Sequence, residues 1–339
     1  MHVADIALEL MRAESTSGAE GPAIDVAERL LSGIGWHTER IPIEAGRDAI
    51  FASSSGTSGE VVTLSTHLDT VPPYSPPRRE GDVIYGRGAC DAKGIAASMI
   101  VAAGKLRDAG FPIAMLFVVG EETAHDGAHA ANEWITRSGW KSRAIVNGEP
   151  TENTLAIGTK GAMRFTLRTE GIPAHSAYPH LGRSATMGLV TLLSTIDNLE
   201  LPTDEVLGDT TINVGHLAGG VADNVIAPWA EARCMARLGG EPEALEDILL
   251  KWIDGRASYE RGVTIAAKRL GTLEGFDTSV AAYATDIPAL SNWGTPYLYG
   301  PGSIHVAHTD HESVTVAELE RAVKDYERIV RAILSSSGP

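Results

Sequence analysis

The chain has 339 residues, 43% of them hydrophobic and 21% charged, an ordinary globular composition that allows one large domain or two smaller ones. Its formal charge of −16 argues against nucleic acid or an anionic membrane as the main partner, but it is compatible with small-molecule and metal chemistry. The N-terminus resembles no signal peptide, no apolar run reaches the ~20 residues of a membrane span, and the two cysteines imply no disulfide framework. We therefore expect a cytoplasmic protein.

The first part of the chain alternates predicted helices and strands. Helical spacing over 3–12 and 22–33 precedes the strands "DAIFAS" and "EVVTLSTH", which flank the polar loop "SSSGTSG". After a Pro-rich loop at 72–77 come the helix "GIAASMIVAAGKLRDAG", the strand "PIAMLFVVGEE", the helix "AHAANEWITRSG" and the strand "RAIVNGEPT". Continuous apolar strands that alternate with helices predict a mostly parallel α/β sheet covered by helices on both faces.

The pattern changes near residue 159. There "GAMRFTLRTEG" alternates in polarity like a half-exposed antiparallel strand. It is followed by a helix over 184–199, the strands "TTINVGHLAGG" and "EARCMARLGG", a helix over 242–254 and the strand "VTIAAKRL". This β-α-β-β-α-β order predicts an inserted α+β unit with a four-stranded sheet over 159–269. The remaining residues, 1–158 and 270–339, would form one discontinuous domain.

Three predicted apolar strands end in residues that could bind a metal ion or act as a base. The first ends at His67 and Asp69, the second at Glu121 and Glu122, and the third at Glu149. Strand ends at one edge of an open parallel sheet line its binding crevice, so these residues could meet there. Further candidates are Asp91 in the Gly-rich segment "GRGACDAKG" and, in "YGPGSIHVAHTDHESV", His305, His308 and His311.

Imidazole and carboxylate ligands without cysteine suit zinc, cobalt or manganese. The number of carboxylates suggests two metal ions that share one bridging carboxylate. Because successive residues on a strand point in opposite directions, Glu121 and Glu122 need separate roles, one as a ligand and one as a base. Each residue alone also has an ordinary interpretation: Asp69 could cap a turn, and Asp91 could cap a helix.

Five segments, in order along nearly the whole chain, resemble the signature of the dinuclear zinc aminoacylase family. They are "STHLDTVPP", "GRGACDAKG", "GEET", "NGEPT" and "GPGSIHVAHTDHE". This family includes acetylornithine deacetylase, succinyl-diaminopimelate desuccinylase, carboxypeptidase G and tripeptidase. The resemblance implies two Zn²⁺ ions, with Co²⁺ or Mn²⁺ as alternatives. It also implies that the insertion is a ferredoxin-like lid through which the chain forms a homodimer.

The resemblance assigns each metal ligand. They are His67 and Glu149 on one zinc ion, Glu122 and His308 on the second, and Asp91 between the two. His308 is preferred because "GPGSIHVAH" has the spacing of acetylornithine deacetylase-like members, and His305 is the alternative.

The resemblance also assigns catalytic and substrate-binding roles. Glu121 would be the general base, and Asp69 would orient the His67 ring. In the insertion, His175 of "GIPAHSAYPHLG" would stabilise an oxyanion. In dimers of this family, that oxyanion would form in the active site of the partner subunit. Expected contacts to a substrate carboxylate are Asn224, Arg237 and, more weakly, Lys160. Where the family usually has Asp-Ile/Val-Arg, this chain has Met235, Ala236 and Arg237, so the acid beside the arginine is lost.

The reaction implied is hydrolysis of an N-acyl amide beside a free carboxylate, with Glu121 as the base. We expect first an acetylornithine or acetyl-lysine deacetylase of amino-acid biosynthesis. A succinyl-diaminopimelate desuccinylase, a dipeptidase and a carboxypeptidase are alternatives. A non-catalytic metal-binding scaffold is less expected, because it would not need the free base. The partners would be an N-acyl amino acid or short peptide, with no nucleic acid and no membrane.

Overall fold

The computed structural model describes residues 2–54 and 61–336, so most of the predicted polar loop "SSSGTSG" lies outside the described residues. The chain divides into two compact units. The first comprises Met1–Ile157, Leu270–Ser279 and Thr285–Pro339, and the second Gly158–Arg269 and Val280–Ala284. Within the described ranges, no helix has both the length and the apolar character needed to cross a membrane.

The helices agree with the predicted ones to within a few residues, apart from the fifth. They are α1 (Val3–Arg12), α2 (Gly21–Gly33), α3 (Lys93–Asp108), α4 (Asp126–Ser138), α5 (Ala185–Leu193), α6 (Pro242–Ile253) and α7 (Val316–Ser335). The helix predicted over 184–199 ends early, because the hydroxyls of Ser194 and Thr195 bond to the carbonyls of Thr191 and Leu192.

The described residues form 18 strands, some of them shorter than the sequence segments that predicted them. They are β1 (His37–Glu44), β2 (Arg47–Ser53), β3 (Val61–His67), β4 (Arg78–Glu80), β5 (Val83–Tyr85), β6 (Ile113–Val118), β7 (Ser142–Asn147), β8 (Leu155–Thr159), β9 (Gly161–Glu170), β10 (Thr203–Asp204), β11 (Gly208–Asp209), β12 (Thr211–Gly219), β13 (Trp229–Leu238), β14 (Ser258–Ile265), β15 (Lys268–Arg269), β16 (Thr278–Ala281), β17 (Thr295–Tyr299) and β18 (Ser313–Thr315). β3 and β6 are buried along their whole length, which explains their continuous apolar sequences.

The sheet of the first unit has the strand order β1-β2-β6-β3-β7-β17-β8. Its four central strands, β6, β3, β7 and β17, run parallel, and antiparallel strands join them on both sides. The predicted mostly parallel sheet is therefore confirmed. The carboxyl ends of β3, β6 and β7 lie at one edge, and the candidate acids and the first histidine follow there.

Helices cover both faces of this sheet. Side chains of α1, α3 and α7, among them Leu10, Met99 and Ile329, form the larger core against one face. α4 packs against the opposite face, where the rings of Trp134 and Phe51 have centroids 4.7 Å apart. The sheet is thus held rigidly between two apolar layers, and its strand ends are fixed positions for functional groups.

The second unit contains a four-stranded antiparallel sheet with the order β12-β13-β9-β14. α5 and α6 cover one face of this sheet, where Leu189 and Leu249 pack against Phe165 and its neighbours. Burial alternates along β9 and β13, so every second side chain points to the opposite, open face. The predicted strand "VTIAAKRL" is interrupted, since β14 ends at Ile265 and β15 begins at Lys268.

Candidate metal centre

The sheet edge of the first unit brings the predicted acids and His67 into one neighbourhood. His67 is the last residue of β3 and is 1% exposed. Glu149 follows β7 by two residues, and Glu149 is also buried. β6 ends at Val118, so Glu121 and Glu122 lie in a turn rather than on the strand. Their separate directions therefore come from that turn and not from the strand pleat used in the prediction.

Asp91 is placed between two histidines. Its Oδ1 lies 3.0 Å from His67 Nε2, and its Oδ2 lies 3.2 Å from His308 Nε2. His308 Nε2 is also 2.9 Å from Glu122 Oε1. One potential ligand atom from each of His67, Asp91 and Glu122 lies within 4.8 Å of the others. A carboxylate whose two oxygens face different imidazoles has the arrangement that a bridging ligand needs.

Glu121 and Glu149 are crowded by negative charge. Burial, and then the charge of Glu149, raises the pKa of Glu121 well above its usual range. Burial also raises the pKa of Glu149, against the opposing effect of His67. Glu149 Oε2 is 4.0 Å from His67 Nε2, whereas Glu149 Oε1 is buried without a hydrogen-bond partner among the described residues. This orphaned carboxylate oxygen fits a site built for a divalent cation.

The two histidines respond to the same carboxylates. Hydrogen bonds to Asp91 and Glu122 raise the pKa of His308 to about 10. Burial lowers the pKa of His67, but Asp69 and Asp91 outweigh burial and raise it well above its usual value. Burial would raise the pKa of Asp91, but hydrogen bonds to His308 and His67 lower it. A metal ion that replaced the imidazole protons would satisfy the same acids.

Asp69 supports the turn that carries the acids. Its Oδ1 and Oδ2 accept hydrogen bonds from the backbone N–H groups of Glu121 and Glu122, both at 3.2 Å, and Ser17 Oγ donates to Oδ2 at 2.7 Å. His67 Nδ1 lies 3.0 Å from the Asp69 carbonyl oxygen and 3.4 Å from its carboxylate. The sequence predicted only the contact with the His67 ring. β3 ends at His67, so Asp69 lies beyond the strand.

Glu312 was missed by the sequence analysis as a functional residue. Its Oε1 accepts hydrogen bonds from the backbone N–H groups of Cys90 and Asp91, and its Oε2 lies 2.7 Å from Arg87 Nη1. Glu312 is four residues beyond His308 and belongs to the segment "GPGSIHVAHTDHE", so the signal was present in the motif.

Asp286 was also missed. Its Oδ1 lies 2.8 Å from His125 Nδ1, and its Oδ2 is buried without a hydrogen-bond partner among the described residues. The charge of Asp286 contributes to the raised pKa values of Glu121 and Glu149, after the larger effect of burial. Asp286 lies in an irregular segment between β16 and β17, where no periodicity or motif could indicate it.

The alternative ligand His305 is exposed, and within residues 2–54 and 61–336 its side chain makes no hydrogen bond or ion pair with the acids. His311 is exposed as well. His308 is exposed too, so its contacts with Asp91 and Glu122, and not its burial, distinguish it from these two neighbours.

The remaining candidates belong to the second unit. His175 follows β9, and its Nδ1 accepts a hydrogen bond from the Ala177 N–H at 3.1 Å. The Asn224 carbonyl accepts one from the Ser176 N–H at 3.0 Å, so the loops of His175 and Asn224 are adjacent. Lys160 Nζ donates to the Asp209 carbonyl at 2.6 Å. Arg237 is half-buried on β13.

The chain is similar to known sequences over almost its whole length. The profile of the Peptidase family M20/M25/M40 matches residues 63–332. A protein of Aspergillus terreus named "Probable carboxypeptidase" is 35% identical, over 96% of this chain and 85% of its own. A protein of Emericella nidulans with the same description is 36% identical, over 96% of this chain and 88% of its own.

Solved structures share the fold. A tripeptidase from Staphylococcus aureus has a TM-score of 0.80 at 19% identity, over 99% of this chain and 98% of its own. An M20 family metallo-carboxypeptidase from Sulfolobus solfataricus has a TM-score of 0.76 at 16% identity, over 98% of this chain and 99% of its own. A dinuclear metal-binding peptidase from Bacillus subtilis has a TM-score of 0.73 at 15% identity, over 99% of this chain and 98% of its own.

Proposed function

Because the chain belongs to the peptidase family M20/M25/M40 and is therefore a metal-dependent peptidase, we propose that it hydrolyses the amide bond beside a free carboxylate, as a carboxypeptidase does. The observation that carries this proposal is the position of Asp91, whose two oxygens face His67 and His308. Glu121, with a pKa raised by burial, lies in the adjacent turn. Relatives named "Probable carboxypeptidase" support the choice of substrate class.

We propose two Zn²⁺ ions as the cofactor, with Co²⁺ or Mn²⁺ as alternatives. His67 and Glu149 would hold one ion, Glu122 and His308 the other, and Asp91 both. The buried, unpartnered Oε1 of Glu149 and the absence of cysteine ligands support this set. When bound, such a metal pair activates water and polarises the amide carbonyl.

In the proposed reaction, amino-acid side chains would transfer protons and bind the substrate. Glu121 takes a proton from the attacking water and later delivers it to the leaving amine, and its raised pKa suits both steps. Asp69 fixes the Glu121 turn through its backbone hydrogen bonds. His175 donates a hydrogen bond to the oxyanion that forms on the carbonyl. The substrate carboxylate binds to the contacts inferred in the insertion, namely Asn224, Arg237 and Lys160.

The substrate would be a short peptide or an N-acyl amino acid. The segment "GPGSIHVAH" resembles acetylornithine deacetylase-like proteins, which makes N-acetylornithine a necessary member of any substrate panel. The relatives named "Probable carboxypeptidase" favour carboxypeptidase activity over acetylornithine deacetylase activity. Two buried, unpaired cysteines, Cys90 and Cys234, support the proposed reducing, cytoplasmic location.

The second unit is proposed to be a ferredoxin-like lid that also forms a homodimer. Apart from the two-residue strands β10 and β11, the order β9-α5-β12-β13-α6-β14 supports the first part. Exposed apolar side chains support the second, among them Met187 and Val190 on α5 and Leu217 on β12, which are 63%, 45% and 53% exposed. Light scattering should give a dimer for the native chain and a monomer for the Met187→Glu, Val190→Glu variant. A monomeric native chain would contradict the homodimer.

The test of the reaction is amine release from zinc-, cobalt- or manganese-loaded protein. The panel contains N-acetyl amino acids, including N-acetylornithine, and dipeptides with a free or an amidated C-terminus. We expect release from substrates with a free carboxylate and little from the amidated partners. No release with any of the three metals, or equal release from amidated dipeptides, would overturn the proposal.

A further inference from the structure

The open face of the four-stranded sheet in the second unit carries four arginines. Arg164 and Arg168 lie on β9, and Arg233 and Arg237 lie on β13. Residues an even number of positions apart share a strand face, and β9 and β13 pair without a register shift. All four guanidinium groups therefore belong to the face that α5 and α6 do not cover.

Only two of these arginines are neutralised. Arg168 Nε and Arg233 Nε lie 2.7 Å from the two carboxylate oxygens of Glu231, and Arg168 also pairs with Glu260. Neither Arg164 nor Arg237 has an ion pair with any acid in the described part of the chain. The two free guanidinium groups stand out because the chain as a whole carries a formal charge of −16.

The strand register explains why both are free. Met235 lies opposite Arg164, and Arg237 lies opposite Ala162, so the two arginines are diagonal neighbours across the strand pair. Met235 occupies the position at which an acid is expected from the resemblance. A carboxylate there would lie close to both guanidinium groups, whereas a thioether leaves their charges uncompensated.

The surroundings of Arg237 reflect this lack of negative charge. Burial, and then the charge of Arg164, lowers the pKa of Arg237. A groove of about 520 Å³ opens on the same face, and its lining includes Arg164 and Met235 but not Arg237. Arg233 and Glu260 line it too, and both are engaged in ion pairs with other residues. Arg164 therefore borders open space without an ion-pair partner, and Arg237 is its diagonal neighbour on the paired strand.

We propose that Arg164 and Arg237 form a subsite for two carboxylates, so that the enzyme prefers substrates whose released residue is acidic, such as glutamate. This inference rests on the proposed function, in which Arg237 contacts the substrate's α-carboxylate. Arg164 then binds the side-chain carboxylate of the same residue. Guanidinium groups pair well with carboxylates in this way, while the cationic side chain of ornithine or lysine is repelled.

The test compares N-acetyl-L-glutamate with N-acetyl-L-glutamine, which differ in charge but hardly in shape. We expect the zinc-loaded native enzyme to have a kcat/KM for the glutamate substrate at least ~10-fold higher, and higher still relative to N-acetyl-L-ornithine. The Arg164→Gln variant should bring the glutamate-to-glutamine ratio close to one, mainly through KM, because the lost contact is made in the ground state.

Arg233→Gln is the matched control, because it removes the same charge from the same face at an arginine that already has a partner. Its glutamate-to-glutamine ratio should stay at the native value. A native ratio of one or below, or an Arg164→Gln variant that weakens both substrates equally, would overturn the subsite.

A failure of the reaction itself can be told apart from a failure of the subsite. If no substrate is hydrolysed, the proposed function falls. Calorimetric binding of the same two ligands to the zinc-loaded Glu121→Gln variant then still decides the subsite. Tighter glutamate binding that is lost on adding Arg164→Gln supports it, and equal affinities overturn it.

Discussion

Glu312 holds Asp91 by its backbone, since Glu312 Oε1 accepts a hydrogen bond from the Asp91 N–H at 3.2 Å. The other oxygen of Glu312 lies 2.7 Å from Arg87, and both members of this pair are almost fully buried. Because Glu312 also follows His308 by four residues, it links the segments that carry two of the candidate ligands. We infer that this buried ion pair fixes the position of the proposed bridging carboxylate.

Replacing Glu312 by alanine should therefore have two effects. It leaves the buried Arg87 guanidinium without an ion-pair partner, which should lower the free energy of unfolding by about 3–5 kcal/mol. It also releases the Asp91 backbone, which should weaken zinc binding by about 10- to 100-fold. Urea unfolding measures the first effect, and competition with a zinc chelator measures the second.

The two effects can be separated with a double substitution. Arg87→Met combined with Glu312→Leu removes both charges and should recover most of the lost stability. It should not recover zinc affinity, because no acceptor remains for the Asp91 N–H. Native zinc affinity in this double variant would show that Glu312 acts only through stability.

Glu121→Gln should separate catalysis from metal binding. The amide has the shape of the carboxylate but cannot accept the proton, so kcat should fall by about 10²–10⁴-fold. Glu121 is not among the proposed ligands, so zinc content measured by mass spectrometry should stay at the native level. Glu133→Gln on the exposed side of α4 is the control and should retain native turnover. Near-native turnover of Glu121→Gln would contradict the assignment, and loss of zinc would make Glu121 a ligand.

Much of the fold was predictable because its central strands are buried on both faces. β3 and β6 are buried at every position, so their sequences are continuous apolar runs that alternation with helices places in a parallel sheet. β1 was not predicted, because it is a half-exposed edge strand containing Pro42 and its pattern is weak. Local pattern also failed at the end of α5, where hydroxyl side chains compete for backbone carbonyls.

The candidate site was predictable only where residues follow strands or lie in motifs. His67, Glu122 and Glu149 meet because their strands end at one edge of the sheet. Asp286 could not be found, because its segment has no regular structure and its place depends on tertiary packing. The backbone contacts of Asp69 were equally hidden, because any carboxylate can accept them and only the folded turn aims the N–H groups.

His175→Ala should reduce turnover without changing zinc content. His175 Nδ1 accepts the Ala177 N–H, so the ring hydrogen of the neutral side chain lies on Nε2 and can be donated to an oxyanion. Losing one such donor should lower kcat by about 10²–10³-fold. His180→Ala, which removes an exposed histidine of the same segment, should keep native turnover. A fall in zinc content in the His175 variant would show that the role assigned to this histidine is wrong.

The His125–Asp286 pair should make stability depend on pH. Burial lowers the pKa of His125, but the hydrogen bond to Asp286 outweighs burial and raises it. A raised folded-state pKa gives stability that is fully present below the unfolded value of about 6.5 and is lost as pH rises through the folded value. In chelator-treated protein, His125→Gln should therefore destabilise more near pH ~6 than near pH ~9, as measured by urea unfolding. His129→Gln, at an exposed position of α4, should show no such difference. An equal loss at both pH values would mean that the pair contributes no charge-dependent stability.

Removing the metal should expose how strongly the site depends on it. Glu149 and Asp91 are buried and Glu121 is half-buried, and a cation that binds only the folded chain stabilises it by about 2.7 kcal/mol at 100 times its Kd. We therefore expect zinc to raise the Tm of chelator-treated protein, and magnesium at the same concentration to raise it much less, because imidazole ligands favour zinc. Glu149→Gln should reduce the zinc-induced shift, whereas Glu152→Gln, an exposed acid three residues away, should leave it intact. Equal shifts with zinc and magnesium, or a full shift in the Glu149 variant, would show that zinc binds elsewhere than at this sheet edge.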